Sequence, residues 1–407
     1  MEQHLNRTDW AERHVEEFLS KPFISEFVFR SLQKLDPTQK EVADFMVMNG
    51  DSCILISQKT QDDPLRRTPE KNGLWVRKNA KAAALQLTGA LRSASEKPIW
   101  CEHRRRGRVE FAAGLPPIIH GIVLIETREA VDLWPDVREL PLEYNCVPIT
   151  YLSLNDFLNL VEELRSIPDL LTYLDARRAL PVDCMRLLGA EKPLFEYYIL
   201  NEGTLAGCLG HADAKIVIAA RHGEMRVAFE QREDQAFSAQ LLEYVGDCLA
   251  VRSADYAVGL SIEQLAAFDA PENRKNFLTM QDVIAQLTFA ERAQLGRALF
   301  AAGAKLEGQM EGFVYQSAQF TSRDWVYVLC SSKNIARPEV LQRVEYLQRG
   351  AMAYYKKNNC MVIVDRDGEG YEIAKSRTDY RPTLADYSLG ERYFAHLRST
   401  SMPLNNV

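Results

Sequence analysis

Asp44 and Lys59 stand in two short apolar runs separated by Asn49-Gly50-Asp51-Ser52. Residues 42–48 and 53–58 are β-branched and apolar, and Asn-Gly between such runs signals a hairpin. Strand side chains alternate faces, so Val42, Asp44 and Met46 share one face, and so do Leu55, Ser57 and Lys59. A four-residue loop, Asn49 to Ser52, sets Asp44 opposite Ser57 and diagonal to Lys59. A two-residue Asn-Gly loop carries Lys59 too far along for one compact site, so the longer loop is expected. An acid and a lysine placed this way suit phosphodiester cleavage. The carboxylate helps hold a divalent cation, which takes oxygen ligands. The cation polarises the phosphate and lowers the pKa of an attacking water, and the lysine stabilises charge developing in the transition state. The competing reading is structural, with Asp44 capping a turn or pairing with an arginine and Lys59 ending its strand in solvent.

The hairpin resembles the restriction-endonuclease-like PD-(D/E)xK superfamily, whose bacterial branches carry an aspartate strand followed by an apolar strand ending in (D/E)-x-K. Asp44 and Lys59 match that pattern, and Ser57 stands where the family usually has Asp or Glu. Members with Ser-x-Lys draw the missing acid from a later helix. The resemblance therefore implies Mg²⁺ or Mn²⁺ held by Asp44 with a replacement acid, ranked Glu70, then Glu26, then Glu17. Glu41 is nearer in sequence, but strand alternation turns it from Asp44 and only a bulge would bring it in. The resemblance also gives Gln86 a role in positioning the site; a solvated helix glutamine is the competing reading.

Flanking segments fall in the order that this superfamily's core has: helix, three strands, helix, strand. Residues 8–19 form a helix capped by Thr8 or Asp9, with Ala11, Val15, Phe18 and Leu19 on one face. Residues 23–30 form a first strand. Residues 74–92 form a helix that turns Val76, Ala80, Ala83, Leu87 and Leu91 inward. Ile118–Ile125 is a continuous apolar run, as expected of a central strand covered on both faces. The expected fold is α/β, a mixed sheet flanked by helices: a restriction-endonuclease-like domain over 1–180, with the boundary at Leu180-Pro181. A C-terminal α/β or α+β domain follows over 181–407, divisible into about 181–285 and 286–407 and assigned to partner or target binding. Within it, 215–220 and 225–229 read as a hairpin, 261–268 as a short helix, and 313–320, 325–330, 361–364 and 371–374 as strands. Leu329-Cys330-Ser331-Ser332-Lys333 echoes the first motif without an acid at the matching earlier position.

The 407-residue chain carries a formal net charge of −7, which excludes a bulk nucleic-acid coat protein. Yet Arg66, Arg67, Lys71, Arg77, Lys78 and Lys81 cluster directly after Lys59, followed by Arg92, Lys97 and Arg104, Arg105, Arg106 and Arg108. Local basicity on an acidic chain is the footprint of a phosphate-binding groove, and DNA is the expected partner. An exposed helix face, or a loop docking an acidic partner protein, is the competing reading. The eight cysteines form no C-x-x-C pair and read as reduced. No apolar run reaches membrane-span length, and the first residues lack a signal peptide's apolar core, so a cytoplasmic protein is expected. No Walker loop, dinucleotide fingerprint, Gly-x-Ser-x-Gly elbow or His-Glu-x-x-His is present. The expected function is a metal-dependent DNA endonuclease, acting by analogy in defence against foreign DNA. The alternative is a catalytically degenerate nuclease-fold protein that binds nucleic acid or a partner without cleaving. Homo-oligomerisation stays open.

Overall fold

One mixed sheet is built around the hairpin. β1 (Val28–Lys34) pairs antiparallel with β2 (Glu41–Asn49), and β2 turns into β3 (Ser52–Lys59). Met48 faces Cys53 and Phe45 faces Ile56, the register expected of the four-residue loop, but Asn49 also pairs with Ser52, so the loop itself is only Gly50-Asp51. Continued by one position, the register sets Asp44 across from Ser57. Asn49 and Ser52 close the turn, and Gly50 has φ of 59°, the left-handed conformation that hairpin turns require of glycine. The computed structural model describes residues 7–20, 27–37, 39–61, 68–94, 97–104, 107–127, 129–133, 140–181, 187–254, 271–320, 323–367, 370–376 and 380–396.

Two units make up the chain: residues 1–232 with 285–288, and residues 233–284 with 289–407. The sheet of the first unit also contains β4 (Ile99–His103), β5 (Gly107–Phe111), β6 (Ile118–Ile125), β8 (Glu143–Tyr144) and β9 (Val147–Ser153). Its order is β5-β4-β1-β2-β3-β6-β9-β8, with β6 parallel to both β3 and β9. The short strands β7 (Val131–Asp132) and β10 (Leu187–Leu188) pair separately.

Helices cover both faces. α1 (Arg7–Ser20) lies on one, with Val15 and Leu19 packed among Phe45, Val47, Ile54, Ile56, Ile122 and Leu124. α2 (Pro69–Ser93) lies on the other, with Val76, Ala80, Ala83 and Leu87 against Met46, Cys53, Leu55, Val123 and Ile125. β6 thus buries alternate residues in opposite cores, which is why its sequence is apolar throughout. α2 starts where Thr68 accepts the Lys71 N–H and Pro69 takes the first turn, whose own N–H has no helical partner to lose. α3 (Leu154–Leu164, capped by Ser153) and α4 (Ile167–Arg178) join the α1 side.

The boundary expected at Leu180-Pro181 is displaced. α5 (Lys192–Leu200) and α6 (His211–Ala220) place Leu194, Phe195, Tyr198, Ala214 and Ile218 in the α1-side core, so these residues belong to the first unit. The hairpin expected over 215–229 is replaced by α6 and α7 (His222–Ala254). Lys-Ile-Val-Ile reads as strand by composition, but burial of Ala214 and Ile218 one helical turn apart overrides that preference. Conversely, Arg108 lies on β5, while Arg104 lies in the turn that joins β4 to β5. The expected helix 261–268 lies outside the described residues.

In the second unit, α8 (Pro271–Ala285) and α9 (Phe289–Ala304) precede β11 (Gly312–Gln319) and β12 (Trp325–Lys333). After α10 (Arg337–Tyr355), β13 (Asn359–Arg366) pairs parallel with β12, and β14 (Gly370–Lys375) pairs antiparallel with β13. α11 (Leu384–Phe394) follows. Hairpin, helix, parallel strand is the order that also joins β2, β3, α2 and β6, where the β4–β5 hairpin is inserted between α2 and β6. Ser331 faces Val314 here, so the position equivalent to Asp44 is apolar. Among the described residues no helix is long and apolar enough to cross a membrane.

Candidate functional site

Lys59 is fixed by its backbone before its side chain acts. Its carbonyl accepts the Glu126 N–H at 2.9 Å, continuing the β3–β6 ladder. Two residues on, the Gln61 N–H donates to Glu126 Oε2 at 2.8 Å and Gln61 Nε2 donates to Asn72 Oδ1 of α2 at 2.6 Å. Alternation then turns Lys59 to the α2 face, where Nζ donates to Gln86 Oε1 at 2.8 Å.

Asp44 and Ser57 face the same way. Asp44 is 6% exposed, and its Oδ2 accepts the Gln58 backbone N–H at 2.7 Å. Burial raises its pKa above the ordinary value, opposed by the Lys59 charge, the Gln58 N–H and the neighbouring Ser57 hydroxyl. Ser57 is fully buried, and although its hydroxyl helps hold the Asp44 carboxyl down, Oγ makes no hydrogen bond of ordinary geometry.

Strand alternation alone turns Glu41 away from Asp44, and the structure supplies the bulge that changes this. Leu32 of β1 pairs with Ala43, but Gln33 pairs with Glu41, leaving Val42 without a partner on β1. Val42 and Ala43 both enter the α2-side core, two consecutive residues on one face. Glu41 then lies within electrostatic reach of the site: burial raises its pKa, the Asp44 carboxylate raises it further, and Lys59 lowers it.

The acids ranked from the sequence are not brought to this place. Glu70 is exposed in the first turn of α2, where backbone N–H and Thr68 hydrogen bonds lower its pKa. At a helical rise of about 1.5 Å per residue it lies roughly 24 Å along α2 from Gln86, so it serves the first turn of its helix and is too far from the Lys59–Gln86 pair to share a cation there. Glu17 is exposed on α1, on the opposite face of the sheet. Glu26, Arg66 and Arg67 lie outside the described residues. Lys71, Lys78 and Lys81 are exposed on the outer side of α2, and Arg77 donates to the Asp132 carbonyl at 3.1 Å. The expected groove is thus redrawn. A cleft of ≈ 720 Å³ runs past Glu41 and Gln86, and its other charged residues are Lys34, Lys40, Arg92 and Lys97.

Among the described residues no group of three or more His, Cys, Asp or Glu could hold a metal ion. Two carboxylates with a hydroxyl nevertheless fit Mg²⁺, which keeps several waters and is commonly held by one or two carboxylates plus substrate phosphate. The buried Ser57 Oγ beside Asp44 is consistent with that donor set. Comparisons of the chain with known protein families, characterised proteins and solved structures return no match.

Proposed function

We propose that the N-terminal unit is a metal-dependent phosphodiesterase acting on nucleic acid, with a restriction-endonuclease-like core. One observation carries this reading: Lys59 is bonded to Gln86 and within electrostatic reach of Asp44 on the same face, and Gln86 and Glu41 line a cleft whose remaining charged residues are all cationic. Asp44 and Glu41 would hold Mg²⁺ or Mn²⁺, which supplies polarisation of the scissile phosphate and a more acidic attacking water. Lys59 neutralises charge growing on the phosphate, and Gln86 is a positioning residue that aims the ammonium. Lys34, Lys40, Arg92 and Lys97 bind the flanking phosphates, a salt-dependent attraction indifferent to sequence. The resemblance of the hairpin to PD-(D/E)xK nucleases supports the assignment; DNA as the substrate and a role in defence extend it by analogy.

A second reading is a nuclease-fold protein that binds without cutting. It is favoured by the commitment of Asp44 Oδ2 to the Gln58 N–H and by serine at the position of the second acid. Incubation of the purified chain with supercoiled plasmid and labelled single strands, in Mg²⁺, Mn²⁺ or EDTA, separates the two. Cleavage lost in EDTA supports the phosphodiesterase. Salt-sensitive binding with no cleavage in either metal supports the binding protein.

A further inference from the structure

A second cleft, of ≈ 610 Å³, opens between α1, β1 and the β4–β5 hairpin. It lies on the face of the sheet away from Lys59, because Trp100 and Glu102 alternate with Ile99 and Cys101, which enter the α2-side core. Four guanidinium groups line it, from Arg13, Arg30, Arg104 and Arg108, on a chain whose net charge is −7. Glu16 of α1 lies at its wall, only 7% exposed. Its Oε2 is 3.6 Å from Arg30 Nε, and Arg30 turns its shorter contact, 2.8 Å, to Glu102. Glu16 Oε1 accepts no hydrogen bond. A buried carboxyl oxygen left unpaired costs free energy that a ligand donor recovers. Trp100 completes the wall, and the Arg108 guanidinium lies over its ring, 4.6 Å from the centroid, a cation–π contact.

We propose that this cleft binds a nucleoside phosphate. The base takes the place of the Arg108 guanidinium against Trp100 and donates an N–H to Glu16 Oε1, and the phosphate is taken by Arg13 and Arg104. Each feature has a simpler ligand, but only this class uses all three. A free anion leaves Trp100 and the Glu16 acceptor idle, and a cation that suits Glu16 meets four guanidiniums. Stacking on an aromatic side chain with a carboxylate reading the base edge is an established mode of nucleobase recognition. The inference does not rest on the phosphodiesterase reading, since no residue is shared with that site.

Titration of the full chain with AMP, GMP, CMP and UMP, followed by tryptophan fluorescence and calorimetry with inorganic phosphate as control, tests it. Saturable binding is expected for the three amino-bearing bases. UMP, whose single N–H is flanked by carbonyl oxygens that face the carboxylate, should bind at least about tenfold more weakly. Glu16→Gln keeps the shape and removes a buried charge, so it should fold and narrow the preference against UMP. Arg104→Ala, at the exposed rim, should weaken all four alike with an unchanged Tm. The proposal is overturned by an absence of saturable binding, by inorganic phosphate binding as tightly as the nucleotides, or by a folded Glu16→Gln variant with unchanged base preference.

Discussion

At the scale of single residues, Asp44 carries a conflict between stability and chemistry. A buried carboxyl with a raised pKa is costly to ionise, and a metal ligand must be ionised. Below its unfolded value of 3.8 both states hold the proton; as pH rises the unfolded chain ionises first, and stability falls until the folded carboxyl follows. Asp44→Asn should therefore abolish cleavage yet melt higher than wild type at neutral pH. That advantage should grow as pH rises above the ordinary carboxylate range; melting curves between acid and neutral pH measure it. Glu41 and Glu70 give a paired test of the second acid. Glu41→Gln should raise the Mg²⁺ concentration for half-maximal cleavage, and Glu70→Gln should leave it unchanged. The reverse result would return the second carboxylate to the start of α2.

At the scale of elements, the hairpin was legible because its information is local: apolar runs, a glycine turn and side-chain alternation fix which residues share a face. Gln86 was legible only through a resemblance, since nothing in Leu85-Gln86-Leu87 distinguishes a glutamine that meets a lysine from one that meets water. Glu41 was misplaced because a bulge belongs to two strands. The β2 sequence alternates acceptably by itself, and only the pairing of Gln33 with Glu41 turns it. The β4–β5 hairpin was hidden by charge, since its edge position lets Arg104, Arg108 and Glu110 face solvent. The seat of α2 offers a test of the geometry. A Cβ on Gly121 of β6 would come 2.8 Å from Leu87 Cδ2, next to Gln86 in the helix. Gly121→Ala should cost about 1–3 kcal/mol by overpacking and slow cleavage while leaving nucleic-acid affinity near wild type. Unchanged turnover in a destabilised variant would remove Gln86 from the account.

At the scale of the molecule, the chain uses the order hairpin, helix, parallel strand twice, the first time with the β4–β5 hairpin inserted before the parallel strand, and ends both hairpins in Ser-x-Lys. The copies differ in chemistry. Lys59 is within electrostatic reach of buried Asp44 and held by Gln86, whereas Lys333 pairs with exposed Asp367 at 3.5 Å and its hairpin has Val314 where the acid would be. Lys333→Ala should accordingly leave cleavage unchanged, and loss of cleavage would point to the second unit as the catalytic one. The domain boundary was placed too early because Pro181 breaks a helix without ending a core: the aromatic residues of α5 return to the sheet that begins with β1. The central claim is that Lys59 stabilises a phosphate undergoing cleavage, and it is tested most directly by single-turnover cleavage of plasmid DNA in Mg²⁺ by wild type and Lys59→Ala. The account predicts a rate lower by about a hundred- to a thousandfold in a variant that melts and binds DNA like wild type. Retained cleavage by that folded variant would contradict it.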